Sequence, residues 1–172
     1  MTSFSLACGS STVLWVRFVQ LGSGAGGQEW PAIVDRIIHR FNDPSKAAAK
    51  HVVANVLEEE SAATASLVHG DFGLHNIMWS EGKLSGIVDL DNACVADPAL
   101  DLAPLIGQFG SNRVADIANR ETVARAKIYR ASLSLQVAAA AELVSDWKLK
   151  EFALCNFLER LDAGTLYGPC QK

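Results

Sequence analysis

No apolar run in this chain reaches the roughly 18 residues that a membrane span needs. The longest candidate, residues 137–144, is an alanine-rich stretch interrupted by Glu142. Residues 1–8 lack both a positive n-region and a long apolar h-region, so they make a poor secretory signal. Basic residues are scarce as well. Fifteen Lys and Arg stand against 19 Asp and Glu, for a net charge of −4 and a pI near 5.5. That balance argues against a nucleic-acid partner, because affinity for the phosphate backbone comes from Lys and Arg. CxxC pairs are missing too: Cys8, Cys94, Cys155 and Cys170 are scattered. They read as reduced packing cysteines, not a zinc site or a disulfide framework. No internal repeat is found, and the cytoplasm is the default compartment.

What remains is an ordinary globular composition, 49% hydrophobic and 20% charged over 172 residues. At about 150 residues per domain this is one domain, large enough to bury about 70% of its unfolded-chain surface without a staple. Residues 13–19, β-branched and aromatic, read as a strand that the glycine-rich stretch 22–27 then breaks. From Trp30 to Phe41 the apolar set Ile33, Ile37, Ile38 and Phe41 has helical spacing, with Pro31 in the first turn. A second helix follows Asn42-Asp43-Pro44 and runs to about Glu60, with Val52, Val53, Val56 and Leu57 facing inward. Residues 61–66 form a loop, and Leu67-Val68 a short buried strand. After Asp97-Pro98, a good N-cap and N1 pair, the chain is helical. Residues 113–130 carry a basic exposed face, 132–144 an alanine-rich one, and a last helix places Leu154, Leu158 and Leu161 on one side. The fold class is α+β, mainly α.

Residues 71–101 hold six acids (Asp71, Glu81, Asp89, Asp91, Asp97 and Asp101) and one base, Lys83, so the acidity of the chain is local. Like charges at this density raise one another's pKa or recruit a cation; the alternative is that several are solvated or capping residues. A two-residue turn at Gly82-Lys83, suited to a type II′ hairpin, would pair Glu81 with Leu84, Ile77 with Val88 and Asn76 with Asp89. Residues opposed in this way have Cα atoms about 4.5–5.5 Å apart. An amide and a carboxylate would meet at the open end, just beyond Asp71. Such hard oxygen ligands suit Mg²⁺ held together with phosphate oxygens and water.

Three segments resemble one family. His69-Gly70-Asp71-Phe72-Gly73-Leu74-His75-Asn76 is similar to the H-G-D-x-x-x-x-N catalytic loop of the aminoglycoside phosphotransferase and choline kinase-like families. Ile87-Val88-Asp89-Leu90-Asp91 resembles their metal-binding strand end, and Asp97-Pro98-Ala99-Leu100-Asp101-Leu102-Ala103 their D-P-x-x-D-L-A segment. The Asp-x4-Asn spacing is also that of the protein-kinase catalytic loop.

The resemblance implies a kinase-like C-terminal lobe over residues 30–172, whose small β-hairpin carries the catalytic and metal residues. Residues 1–29 would be a remnant strand and linker, with the N-terminal lobe largely absent and the chain truncated. In that frame Asp71 would orient or deprotonate the acceptor hydroxyl. Asn76 and Asp89 would hold Mg²⁺ against the phosphates of ATP or GTP. Asp101 would brace the loop backbone, His69 would pack within it, and Asp97 would cap a helix. Asp91 would touch a second metal or a cationic substrate, or stay solvated; His75 reads as a polar loop residue. Nucleotide-binding residues stay unassigned, because G-x-G-x-x-G at 22–27 is followed by no Val-Ala-x-Lys strand and reads as a linker.

The reading is a small-molecule O-phosphotransferase of the antibiotic or amino-alcohol type. One alternative is a non-catalytic relative that binds a ligand or a partner, with its uncovered lobe face open to a second copy. Another takes Asp89-Leu90-Asp91 as the metal motif of a sugar transferase or a phosphatase.

Overall fold

The computed structural model describes residues 29–168. The strand expected at 13–19, the glycine stretch 22–27, Cys8 and Cys170 lie outside the described residues. Among those described, no helix is long and apolar enough to cross a membrane.

The first helix, α1 (Trp30–Ile37), buries Trp30, Ile33, Val34 and Ile37. A 3₁₀ turn (Ile38–Arg40) then delivers Phe41 to the core. The second, α2 (Asp43–Ala62), begins where the Asn42 side chain accepts the Ser45 amide at 2.9 Å, satisfying one of the orphan donors of the first turn. Val52, Val53 and Val56 face inward, whereas Leu57 is 40% exposed. One helical step past Val56, about 100°, carries it off the buried stripe.

Two small antiparallel sheets follow. Strand β1 (Ser66–Val68) does not stand alone: it pairs with a strand at 94–96 that hydropathy did not signal. Strands β2 (Ile77–Ser80) and β3 (Lys83–Ile87) make the hairpin, but its register differs from the expected one. The turn residues are Glu81 and Gly82, both at positive φ (50° and 73°), so Ser80 faces Lys83. Positive φ at both central positions defines a type I′ turn, whose twist matches that of the strands, and it wants glycine second rather than first. A bulge between Met78 and Trp79 on the β2 side, with Ser85 as the extra residue of β3, then places Ile77 opposite Ile87. A 3₁₀ turn (Leu90–Asn92) leads to β4 (Cys94–Ala96). Both sheets expose apolar side chains, among them Leu67, Met78, Trp79, Leu84 and Val95.

The remainder is helical: α3 (Ala99–Phe109), the short α4 (Ser111–Val114), α5 (Arg120–Leu143) and α6 (Trp147–Asp162). The basic and alanine-rich stretches belong largely to one helix, α5, around which α1, α2, α3 and α6 pack. From Ala131 to Ala141 it is buried on nearly every side; alanines allow that close approach. Arg125 and Arg130 are not on an exposed face. Burial lowers the pKa of Arg130, and Arg125 is committed to an acid. Phe41 stacks on Phe157 at 6.0 Å across the α1–α6 side of the core. Arg160 fastens the final loop by donating to the Leu166 carbonyl at 2.5 Å, and burial next to Arg130 brings its pKa down to about 10. Cys155 is exposed, not packed.

Asp97 joins the sheets to the bundle. Its carboxylate accepts the Ala99 amide (2.9 Å), capping α3, and also the Arg125 guanidinium (2.7 and 3.2 Å) and the Tyr129 hydroxyl (3.1 Å). Bonding to Asp97 raises the Arg125 pKa; burial, reinforced by Asp97, raises that of Tyr129. Removing one member of a buried pair strands the other. Asp97→Ala should therefore cost about 3–5 kcal/mol in urea denaturation, against about 1 kcal/mol for Tyr129→Phe. The double variant should lose less than the sum, because both act through one carboxylate.

Candidate active site

Beyond β1 the chain turns sharply at Gly70 (φ +81°), a left-handed position where a Cβ would also collide with the backbone of Asn92. The turn exposes two successive amides, His69 and Gly70, and Asp101 takes both. Its two carboxylate oxygens accept them at 2.8 and 2.9 Å. Asp101 sits in the first turn of α3, where the helix dipole also favours a negative charge. His69 is buried and locked at both ring nitrogens: Nδ1 accepts the Asp71 amide (3.3 Å) and Nε2 donates to the Val88 carbonyl (2.9 Å). That pattern assigns the ring proton to Nε2.

Asp71 lies on this loop with its side chain 19% exposed. Asn76 ends a 3₁₀ turn (Leu74–Asn76) and is 4% exposed. Its Nδ2 donates to the Asp71 carbonyl at 2.9 Å and reaches the Asp71 carboxylate at 3.5 Å. The Asn76 Oδ1 accepts nothing from the described residues, and it is not among the sealed polar atoms that lack a partner. It is a hard oxygen with an open side. The Val88 amide donates to the Asn76 carbonyl at 3.0 Å, so the residue facing Asn76 is Val88, not Asp89. Asp89 comes one step later, exposed and left-handed (φ 62°, ψ 60°), with no side-chain hydrogen bond within the described residues. The hairpin therefore carries none of these groups; Asp71 and Asn76 precede it and Asp89 follows it.

The other acids disperse. Glu81 is at the hairpin tip, Asp91 is exposed in the 3₁₀ turn after Asp89, and Asp97 is buried against Arg125 and Tyr129. Among the described residues no group of three or more His, Cys, Asp or Glu is clustered as a metal site. The available oxygen pair, an amide and a carboxylate, still has the chemistry of a Mg²⁺ site that completes its shell with phosphate and water.

Two residues have surroundings here that their sequence context did not announce, one of them His75, expected as a polar loop residue. His75 folds back over Gly73, placing its Nε2 3.5 Å from the Asp71 carboxylate; the absence of a side chain at 73 was its one signal. Asn92 is buried with both amide atoms unpartnered, and nothing in its neighbours' types announced that. Beside the loop opens a cavity of about 380 Å³, walled by residues 70–75, α3 and α5.

The model of the phosphotransferase enzyme family matches residues 28–161. Viomycin phosphotransferase of Streptomyces vinaceus is 32% identical over 93 residues, which is 48% of this chain and 32% of that protein. The chain thus spans about a third of the length of the curated relative it matches. Among solved structures, the gentamicin–APH(2″)-IIa complex superposes with a TM-score of 0.54 at 13% identity, over 86% of this chain and 62% of that one. A GDP complex of an aminoglycoside 2′-phosphotransferase-IIIa mutant gives 0.58 at 12%, over 94% and 66%. At such identities the likeness is one of fold.

Charge-assisted bonds to Asp101 hold the loop, so Asp101→Ala should cost about 3 kcal/mol at roughly 1.5 per bond. In hydrogen-exchange measurements the His69 and Gly70 amides should lose protection before the α5 core does.

Proposed function

This chain belongs to the phosphotransferase enzyme family, and on that premise we propose that it transfers the terminal phosphoryl group of ATP or GTP to a hydroxyl group of a small molecule. The observation that carries the reading is the Asp71–Asn76 pair, held in one loop beside an open cavity, with the Asn76 carbonyl oxygen unused.

Asp71 accepts the proton of the acceptor hydroxyl as its oxygen bonds to phosphorus and the bond to the departing nucleoside diphosphate breaks. The proton then passes to solvent. His75, at the Asp71 carboxylate, stands where it can steady the charge. Asn76 through Oδ1 and Asp89 through its carboxylate would hold Mg²⁺, which supplies charge neutralisation at the transferring phosphate. Asp89 is bound by no protein group among the described residues and sits in a backbone conformation that Asp tolerates better than most, which fits that use. Asp91 is open to a second cation. Asp101, His69 and Asp97 support the frame and touch no reactant. Phosphoryl transfer asks the protein mainly for position and electrostatics, and these residues offer both.

Residues 30–172 are assigned to the kinase-like C-terminal lobe and 1–29 to the approach to it. The apolar side chains exposed on both sheets are what a covering nucleotide lobe would bury. The same strands favour a second reading, a chain that binds a partner without turnover. A nucleotide donor agrees with the cytoplasm as the expected compartment.

With Mg²⁺ and ATP or GTP, the protein should phosphorylate a member of a hydroxyl-compound panel, and Asp71→Ala should lower the rate about 10²–10⁴-fold. Asp89→Asn, which the left-handed backbone at 89 tolerates, should weaken Mg²⁺-dependent nucleotide binding in calorimetry while leaving the melting temperature near wild type. Equal rates for Asp71→Ala and wild type would reject the reaction and leave the partner-binding reading.

A further inference from the structure

Resting on that reading of Asp71, we infer that the acceptor is an uncharged hydroxyl compound with an apolar body, and that Gln136 orients it. The density of acids at 71–101 invites the opposite conclusion, a polycationic substrate. The fold spends those charges elsewhere. Asp97 neutralises Arg125, Asp101 is consumed by two backbone amides, and Glu81, Asp89 and Asp91 do not line the cavity beside the loop. Of its described lining residues Asp71 is the single carboxylate, and that group is already committed to the hydroxyl proton. The walls are Phe72, Leu74, Leu100, Pro104, Leu105 and Leu133. An ammonium group pressed against them would give up its hydration with no counter-charge in return. A ring or an alkyl body would gain from the same burial.

Orientation comes from α5. The Gln136 Nε2 donates to Ser132 Oγ at 2.7 Å, and the fully buried Ser132 hydroxyl donates in turn to the Tyr129 carbonyl at 2.8 Å. One of the two amide N–H groups is therefore spent on Ser132, while Oε1 accepts no bond from the described residues and is open to a ligand. Oε1 takes an N–H or O–H of the acceptor, and the apolar walls, which leave an ammonium without hydration, make that donor a neutral one. Gln136 is a positioning and specificity residue on this account, with Gln108, exposed on the same cavity, at the rim.

The test uses ligand-observed NMR on the full chain with two probes. N-acetylphenylalaninol offers a hydroxyl, a phenyl ring and an amide N–H; gentamicin offers hydroxyls on a polycation. Wild type should bind the neutral probe at least about tenfold more tightly. Gln136→Leu should weaken it about three- to tenfold, as expected for one hydrogen bond. Gln136→Glu should shift the preference toward gentamicin; Gln108→Glu, an exposed change that spares the core, should do the same. Tighter binding of gentamicin by wild type, failure of both probes to bind, or indifference to Gln136→Leu in a folded variant would overturn the inference. Because binding is read apart from turnover, Asp71-dependent transfer together with a preference for gentamicin defeats this assignment alone. Loss of transfer from wild type defeats the reading beneath it.

Discussion

One carboxylate carries the loop. Asp101 accepts two consecutive amides at a left-handed glycine, bonds of the charge-assisted kind that are shorter and stronger than neutral ones. The tether runs from the first turn of α3, a rigid element packed on α5, to a segment with no regular structure of its own. Asp71 is the next residue along; Asn76 is bonded to it; Val88 reaches both His69 and Asn76. Displace Asp101 and each later placement loses its reference. The loop has its shape because a helix holds it, not because its own residues prefer that shape.

The helices were legible because their signals are local. Asn42 before Asp43-Pro44, or the apolar spacing from Ile33 to Phe41, states its outcome within a few residues. Pairing is not local, and there the reading slipped. Gly82 forms the turn, as its type suggests, but its place within the turn decides the register. With Gly82 as the second central residue the pairing shifts by two and the bulge at Ser85 restores one, so Asn76 faces Val88 and not Asp89. Strand β4 was invisible for a related reason: three residues, Cys94–Ala96, make a strand only because β1 lies alongside. Arg125 looked like an exposed base because its partner, Asp97, is 28 residues away in sequence. The grouping of Asp71, Asn76 and Asp101 about one loop, by contrast, matches their spacing in the sequence.

Helix α5 links the structural and the functional halves. Tyr129, Ser132 and Gln136 follow one another along one face, the first bonded to Asp97 and the last lining the cavity. The network that ties sheet to bundle and the Gln136 side chain on the cavity wall are thus fixed by the same two helical turns. A helix buried on nearly every side cannot rotate without unpacking alanines throughout its length, so the cavity inherits the rigidity of the core.

The left-handed backbone at Asp89 has an evolutionary corollary. A side chain there pays about 1–2 kcal/mol unless it is Gly, Asn or Asp, which narrows inheritance at this position before any chemistry is considered. Asn is reached from Asp by a single nucleotide change, and it would preserve every bond and angle of the frame while discarding the charge. A lineage could cross that step with no backbone penalty at this position. The two chains would share one frame and differ by a single negative charge at its exposed edge.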